Sequence, residues 1–291
     1  MKLLVIGSNG QLGSELQELL RDRTDVTSLF VDRNELDITD EAAVDTFFSE
    51  HKPEYCINAA AYTNVEGAET DEGMARAVNA RGPEYIATAC ARTGTLLFHI
   101  STDFVFDGKK SVPYTEGDEP HPLGVYGQTK YEGDLAVQAR CPKSFIIRTS
   151  WLYSTYGKNF VKTILRLCAE RESLPVVADQ YGSPTYARDL AAALLQIIDI
   201  CQEKKATDIP YGIYHYANDG EVTWFEFAYK IVEIAGLSCA LQPIPSADFP
   251  SRVARPVYSA LSSKKIQYTF GIGVPEWDES LAACILLLSD E

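Results

Sequence analysis

Lys2-Leu3-Leu4-Val5-Ile6-Gly7-Ser8-Asn9-Gly10-Gln11-Leu12-Gly13 is the stretch of this chain that decides its fold. Its apolar start predicts a short buried strand, and the leucines from Leu12 to Leu20 recur at helical spacing. The glycines between them allow a tight turn, close approach to a pyrophosphate, and close packing of helix on strand. The N–H groups that begin the helix favour phosphate. We therefore expect a dinucleotide to be bound by Gly7, Asn9, Gly10, Gln11, Leu12 and Gly13.

The end of the second predicted strand, 27–31, is expected to choose between two forms of the cofactor. Asp32 is suited to the ribose hydroxyls of NADH, and Arg33 is suited to the 2′-phosphate of NADPH. Asp32 favours NADH and Arg33 favours NADPH, so the sequence does not choose between the two cofactors. Asp37 and Ile38 are placed around the adenine, although Asp37 or Thr39 could instead cap the following helix.

A third strand, 54–58, ends in small residues. Ala59, Ala60, Ala61 and Tyr62 let the backbone run against a flat ligand such as the nicotinamide ribose. Tight packing of helix on sheet is the alternative use of small residues at this position.

Tyr126 and Lys130 are four residues apart in a predicted helix and therefore share a face. A phenol titrates near ~10, and a nearby ammonium is expected to lower that pKa. Thr102, at the end of the strand 95–100, can donate a second hydrogen bond to a carbonyl oxygen. This combination is typical of hydride transfer between a cofactor and a carbonyl. On its own, the Tyr–Lys spacing would indicate only a surface helix.

Strands and helices alternate along the chain, which predicts an α/β fold: a Rossmann-type, doubly wound parallel sheet with helices on both faces. We assign 1–150 to this nucleotide-binding part, which also takes back about 187–215. A smaller, interleaved C-terminal lobe for substrate is predicted at 151–291. The predicted strands are 2–6, 27–31, 54–58, 95–100, 144–148, 174–177 and 212–216, and the predicted helices are 11–22, 40–50, 64–72, 74–93, 124–139, 158–171, 187–201, 223–236 and 275–288.

The composition of the chain excludes several classes of binding partner. The 291 residues carry a net charge of −15 without a run of Lys or Arg, so neither nucleic acid nor an anionic membrane is expected as a partner. We expect no membrane-spanning segment and no signal peptide. Seven scattered cysteines favour reduced thiols and a cytoplasmic location. The four histidines lack metal-ligand spacing, so no metal site is indicated.

Further motifs give the chain a family resemblance. It resembles the extended short-chain dehydrogenase/reductases and, within them, the dTDP-4-dehydrorhamnose reductase family. Beyond the glycine loop, the resemblance rests on Leu36-Asp37-Ile38-Thr39-Asp40, Asn58-Ala59-Ala60-Ala61-Tyr62-Thr63-Asn64-Val65-Glu66, Ser101-Thr102-Asp103-Phe104-Val105-Phe106-Asp107-Gly108, Val125-Tyr126-Gly127, Arg148-Thr149-Ser150-Trp151-Leu152-Tyr153, Gly157-Lys158-Asn159-Phe160-Val161, Asp179-Gln180-Tyr181-Gly182-Ser183-Pro184-Thr185 and Arg255-Pro256.

The resemblance implies the roles of individual residues. Tyr126 would protonate the C4 oxygen of a dTDP-sugar while Lys130 lowers its pKa and holds the ribose of NADPH or NADH. Asn79 would join the cofactor residues. Thr102, Asp103, Phe104, Val65, Glu66, Trp151, Asn159 and Arg255 would bind substrate. Core packing is the alternative for Trp151, and a surface ion pair is the alternative for Arg255.

The residue after Asp103 separates related activities. Dehydratases that resemble this chain carry an Asp-Glu pair after the threonine, whereas here Phe104 has no proton to exchange. This favours a reductase over a dehydratase, and it argues less strongly against an epimerase. A further alternative is a non-catalytic, NADP-binding regulatory subunit, like the β subunit of methionine adenosyltransferase.

The chain also departs from the family pattern. Tyr258 and Ser262 stand where Asn and Asp are usual, which leaves the nucleotide end of the substrate open. Some family members bridge a homodimer through Mg²⁺, and Glu15 lies where one ligand would be. We instead interpret Glu15 as an ordinary charge on the first helix. Mg²⁺ is therefore possible but not indicated, and a homodimer is a possible assembly.

Overall fold

Strands and helices alternate along residues 1–251 and 253–289, which the structure, a computed structural model, describes. The strands are β1 Lys2–Ile6, β2 Thr27–Val31, β3 Tyr55–Asn58, β4 Leu96–Thr102, β5 Ser144–Thr149, β6 Leu152–Tyr153, β7 Ser173–Val177, β8 Tyr181–Gly182, β9 Thr185–Tyr186, β10 Gly212–His215, β11 Val222–Thr223 and β12 Ala240–Ile244. The helices are α1 Gln11–Leu20, α2 Glu41–His51, α3 Val65–Ala68, α4 Glu72–Arg76, α5 Gly82–Thr93, α6 Val125–Arg140, α7 Phe160–Glu170, α8 Ala187–Glu203, α9 Trp224–Ile234, α10 Lys264–Phe270 and α11 Trp277–Ser289.

Six strands form one parallel sheet in the order β10-β5-β4-β3-β1-β2. The chain moves outward from β1 to β2 and then returns to the other side of β1 for β3. Such a reversal leaves a crevice at the carboxyl ends of the two inner strands, where ligands bind in open α/β sheets. The predicted doubly wound Rossmann-type fold is confirmed.

The two faces of the sheet are both covered by helices, because successive side chains of a strand point to opposite faces. Leu3 and Val5 pack with leucines of α1 and α8, whereas Leu4 and Ile6 pack with residues of α2 and α5. These side chains of β1 are almost entirely buried, as expected for a central parallel strand.

A separate hydrophobic cluster lies in the second half of the chain, formed mainly by α7, α9 and α11 with β7. The strand β12 pairs in parallel with β7, and both β12 and the helix α10 were missing from the predicted elements. The sequence of β12 contains Pro243 and lacks an alternating pattern, so only its pairing reveals it. A division near residue 150, with 187–215 returning to the first part, stays a prediction.

The predicted helices 64–72 and 74–93 are broken into shorter pieces. After α3 and α4, residues 77–81 form a single π-helical turn before α5 begins. Such turns often occur at functional sites, and this one contains Asn79. No helix within the described residues is long and apolar enough to cross a membrane.

Candidate active site

One cavity of about 960 Å³ lies at the carboxyl ends of β1, β3 and β4. It extends from the turn after β2 to the start of α9. Most predicted site residues line it: Gly7, Asn9, Gly10, Gln11, Leu12, Gly13, Asp32, Arg33, Asp37, Ile38, Ala59, Ala60, Ala61, Tyr62, Val65, Thr102, Asp103, Phe104, Tyr126, Lys130, Trp151 and Arg255. Asn79, Glu66 and Asn159 are not among the lining residues.

The glycine loop is shaped by its own backbone. Gly7 has a positive φ of 85°, and its N–H donates to Val31 O at 2.9 Å, which ties the loop to the end of β2. A Cβ at Gly13 would stand 2.4 Å from Gly7 O, so α1 can lie this close to the loop only with glycine there. No side chain caps α1, and the first residues of this helix, Gln11, Leu12 and Gly13, line the cavity. This cradle fits the diphosphate of a dinucleotide.

The two residues expected to select the cofactor are both engaged with neighbours. Asn9 Nδ2 and Asn34 N donate to the carboxylate of Asp32, and the bond from Asn34 holds the pKa of Asp32 below its usual value. Arg33 Nε lies 3.5 Å from Asp37 Oδ2 in an exposed ion pair. Asp32 and Arg33 both line the cavity.

The alternative of a helix cap at Asp37 or Thr39 was wrong. Asp40 caps α2, since its side chain accepts from Ala43 N at 3.1 Å. Asp37 Oδ1 instead accepts from the N–H and the hydroxyl of Thr39, which stiffens the turn beside the cavity.

Asn79 is a correction to the predicted set of cofactor residues. It is completely buried, and its amide exchanges two hydrogen bonds with the backbone of Tyr62, at 2.8 and 3.1 Å. A third bond joins it to Thr129 Oγ1 at 3.3 Å. With its polar atoms used in this way, Asn79 orients the Tyr62 segment and does not line the cavity.

Tyr126 and Lys130 lie in the first two turns of α6, where Gly127 allows close packing. A Cβ at Gly127 would stand 2.2 Å from Phe104 O, so the helix touches the turn that follows β4. The rings of Phe104 and Tyr126 meet edge to face at 5.4 Å. Lys130 Nζ donates to Ile100 O at 2.7 Å, which brings the ammonium to the end of β4.

The electrostatics of the pair differ from the expectation. Burial raises the pKa of Tyr126 to about 12, the hydrogen bond with Thr102 lowers it, and Asp103 and Asp134 raise it. Lys130 is not among the groups that shift Tyr126. Burial lowers the pKa of Lys130 itself to about 8, against an opposing effect of Asp134. Desolvation therefore outweighs the attraction that the spacing of four residues suggested.

Asp103 is buried beside these groups. Its Oδ1 accepts from Thr102 Oγ1 at 3.1 Å, and burial raises the pKa of the carboxyl to about 6. Its Oδ2 has no hydrogen-bond partner among the described residues. The Thr102 hydroxyl also accepts from Phe104 N at 3.2 Å, which fixes its position at the end of β4.

Trp151 lies at the other end of the cavity and is stacked on Trp224, with ring centroids 3.4 Å apart and planes within 7°. Its φ of 45° is in the left-handed region, a strained conformation for a residue with a Cβ and one that often marks a functional site. Trp224 was missed from the sequence. The signal available was Thr223-x-x-Glu226, a capping box that places Trp224 at the first turn of α9.

Glu66 and Asn159 do not line the cavity, contrary to prediction. Glu66 is exposed on α3. Asn159 caps α7 by accepting from Lys162 N at 3.0 Å, and its Nδ2 donates to Gln11 Oε1 at 2.9 Å. The polar atoms of Asn159 thus hold the start of α7 against α1. Its neighbour Lys158, which received no role from the sequence, does line the cavity.

Arg255 reaches the cavity and has no ion-pair partner within the described ranges, and its buried Nε has no hydrogen-bond partner there. The alternative of a surface ion pair is therefore not what the structure shows.

Tyr258, one of the departures from the family pattern, does not line the cavity and donates its hydroxyl to Glu221.

Glu15 is not the ordinary helix charge that was expected. It is fully buried, accepts from Ser154 Oγ at 2.6 Å and pairs with Arg188 Nη1 at 3.4 Å. Nowhere in the described chain do three His, Cys, Asp or Glu side chains form a group that could hold a metal ion.

A glycine cradle, a Tyr–Lys pair on one helix and a threonine at the end of a strand, all at one cavity, define the extended class of short-chain dehydrogenases/reductases. The RmlD substrate binding domain family matches residues 1–289. This chain belongs to that family, so the resemblance seen in the sequence is confirmed.

Relatives cover nearly the whole chain. A dTDP-4-dehydrorhamnose reductase of Aggregatibacter actinomycetemcomitans is 43% identical over 286 residues, which are 96% of this chain and 97% of the relative. The crystal structure of a dTDP-4-dehydrorhamnose reductase from Clostridium acetobutylicum ATCC 824 is 41% identical, with a TM-score of 0.94 over 99% of this chain and 100% of that one. That of Bacillus anthracis str. Ames, in complex with NADP, is 38% identical, with a TM-score of 0.92 over 98% and 99% of the two chains.

Proposed function

We propose that this protein is an NAD(P)H-dependent reductase that converts the C4 keto group of dTDP-4-dehydro-6-deoxy-L-mannose to the hydroxyl of dTDP-L-rhamnose, for cell-surface polysaccharide synthesis. The observation that carries the proposal is the convergence of Thr102, Tyr126 and Lys130 on a cavity that begins at a glycine cradle. Membership of the RmlD family, and relatives named for this activity, support the choice of substrate.

The cofactor would be held along the carboxyl ends of the first three strands. The glycine loop would receive the diphosphate, the turn after β2 would receive the adenosine, and Ala59–Tyr62 would contact the nicotinamide ribose. When bound, NAD(P)H supplies the hydride. A neighbour of 38% identity that carries NADP supports NADPH as one of its forms.

Tyr126 would act as the general acid. With its pKa raised to about 12, the phenol is fully protonated at neutral pH and can give its proton to the C4 oxygen as that oxygen becomes negative. Lys130, whose pKa is about 8, stays largely cationic at pH 7 and stabilises the phenolate that remains. The Thr102 hydroxyl would hydrogen-bond the same carbonyl oxygen.

The substrate would occupy the cavity between these groups and the Trp151–Trp224 stack. Arg255, whose buried Nε has no hydrogen-bond partner among the described residues, would bind the substrate diphosphate, since its planar donors suit phosphate oxygens. Phe104 stands where a dehydratase would need a base, and its ring packs edge to face on Tyr126. Elimination of water therefore lacks a group to remove the proton, whereas reduction needs only the acid and the hydride.

Other readings are less favoured. Another nucleotide-sugar reductase or epimerase would use the same Tyr–Lys pair, and a regulatory NADP-binding subunit would need neither residue.

We also propose a cytoplasmic location, supported by seven cysteines that are all unpaired and buried. A homodimer stays a prediction, which sedimentation of the purified protein would test.

The test is oxidation of NADPH and NADH with the keto sugar nucleotide generated in situ as acceptor. Rapid oxidation by the wild type is expected, and Tyr126→Phe should lower turnover by about 10²-fold or more while cofactor binding is retained. No oxidation by a wild-type protein that binds cofactor would reject this substrate. Unchanged turnover in Tyr126→Phe would remove the tyrosine from its role.

A further inference from the structure

A buried polar cluster lies directly behind the proposed catalytic pair. Tyr126, Lys130 and Asp134 follow one another at four-residue intervals on α6 and so share one face. Asp134 is 1% exposed and is not among the residues that line the cavity. Buried carboxylates are costly unless they are paired, so the position calls for an explanation.

The partners of Asp134 come from two strands of the sheet. On β5, Arg148 Nε donates to Asp134 Oδ2 at 3.1 Å, with both side chains 1% exposed. On β4, His99 Nε2 lies 3.9 Å from Asp134 Oδ1. That distance is too long for a hydrogen bond, and both of these facing atoms lack a hydrogen-bond partner in the described part of the chain.

The hydrogen-bond network assigns the tautomer of His99. Ala60 N donates to Asn58 Oδ1 at 3.2 Å, so Asn58 must present its NH₂ group to His99 Nδ1, at 3.1 Å. Nδ1 is then the acceptor, and Nε2 carries the proton that faces Asp134. Burial, followed by the charge of Lys130, lowers the pKa of His99 well below its usual value, so the ring is neutral. The chain of bonds starts at Ala60, which lines the cavity.

Charge counting shows what Asp134 does there. The buried groups around it carry two positive charges, on Lys130 and Arg148, and His99 contributes none. The Lys130 ammonium is 2% exposed and makes one hydrogen bond within the described residues, to Ile100 O. Asp134 is the charge that opposes desolvation of Lys130, and Arg148 is not among the charges that act on it.

We propose that Asp134 is a positioning residue of the reductase, acting through Lys130: its buried carboxylate, paired with Arg148 and faced by His99, lies one helical turn from that ammonium and favours the charged form of Lys130. The inference rests on the proposed function, in which Lys130 must be charged when Tyr126 releases its proton. The groups that face Lys130 are Tyr126 and Asp134 on α6 and His99 on β4. Arg148 on β5 is bonded to Asp134 and so is one residue further from Lys130. The same carboxylate raises the pKa of Tyr126, which keeps the acid protonated.

The direct test is the titration of Lys130 in the full-length chain, followed by NMR of ¹³C-labelled lysine and assigned by the signal lost in Lys130→Arg. The wild-type signal is expected to titrate near pH 8. In Asp134→Asn, which keeps the shape and removes the charge, the midpoint should fall by about one pH unit or more, as expected for loss of a close opposite charge. The matched control is Glu132→Gln on the same helix, whose carboxylate pairs with Arg76 instead; it should leave the midpoint unchanged.

Asp134→Asn leaves Arg148 buried without its partner and could fail to fold. The double variant Asp134→Asn/Arg148→Gln removes both charges and should show the same downward shift, because Arg148 does not act on Lys130. An unmoved Lys130 midpoint in either folded variant would overturn the proposal. So would an equal shift in Glu132→Gln.

The rate profile gives the functional readout. At saturating NADPH, the alkaline limb of kcat should move to lower pH in Asp134→Asn, whereas a merely structural role would lower the rate at every pH without moving the limb. If the wild type does not reduce the sugar nucleotide, the proposed function fails. The NMR titration still decides on Asp134 in that case, because it needs no substrate.

Discussion

Gly13→Ala tests whether the close approach of α1 to the glycine loop is what allows cofactor to bind. The added Cβ would stand 2.4 Å from Gly7 O and 2.5 Å from Ser8 O, both backbone atoms that cannot rotate away. Ordinary contact needs about 3.5 Å, so the start of α1 must retreat by about 1 Å. Overpacking of this kind destabilises by about 1–3 kcal/mol. The retreat also weakens a hydrogen bond to a charged phosphate, which contributes about 1.5–3 kcal/mol.

We therefore expect Gly13→Ala to weaken NADPH binding by about tenfold to a hundredfold, since 1.4 kcal/mol corresponds to about tenfold. The assay is a fluorescence titration of NADPH, with a thermal melt of the free protein to separate lost affinity from lost stability. Gly73→Ala is the matched control, because its Cβ meets nothing within 4 Å on exposed α4. That change should leave binding alone and stabilise the protein by about 0.5–1 kcal/mol. A Kd for Gly13→Ala within about twofold of the wild type (about 0.4 kcal/mol) would refute the reasoning.

Two further predictions concern carboxylates at the cavity. Asp103 has a folded-state pKa near 6, above its ordinary value of 3.8, so the native state holds this proton more tightly than the unfolded chain does. The stability from that proton is present below pH 4 and is lost as the pH rises through 6, by about 2–3 kcal/mol at pH 8. Asp103→Asn should therefore raise the Tm at pH 8 and lose most of that advantage near pH 4.5; an advantage of equal size at both pH values would contradict this. Asp32→Ala should lower kcat/KM for NADH relative to NADPH by about tenfold, because Arg33 remains for the 2′-phosphate. An unchanged ratio would show that Asp32 does not select the cofactor.

The sequence by itself determined the fold class and the centre of the site. A strand, three spaced glycines and an amphipathic helix are local features, and their geometry follows from the residues they contain. The six strands of the main sheet were predicted to within one or two residues, because each is a short apolar run between polar turns. Tyr126 and Lys130 were brought to one face by the helical repeat, which no tertiary contact can change.

Only the tertiary structure decided the roles of residues whose contacts are with partners far away in the sequence. Asn79 and Asn159 are amides that could serve a ligand or the backbone, and here the backbone of Tyr62 and the start of α7 take their hydrogen bonds. Trp224 meets Trp151 across 73 positions of the chain. No local pattern encodes such a contact.

The charges at the site show the same division most clearly. The spacing of Tyr126 and Lys130 predicted a phenol with a lowered pKa, yet burial raises it. Desolvation depends on everything that surrounds a group, including Asp103 and Asp134, and so it is a property of the packed molecule. The sequence gives the identity of the acid and its neighbour on the helix. The fold sets the pKa values of both groups, because only the fold removes water from them.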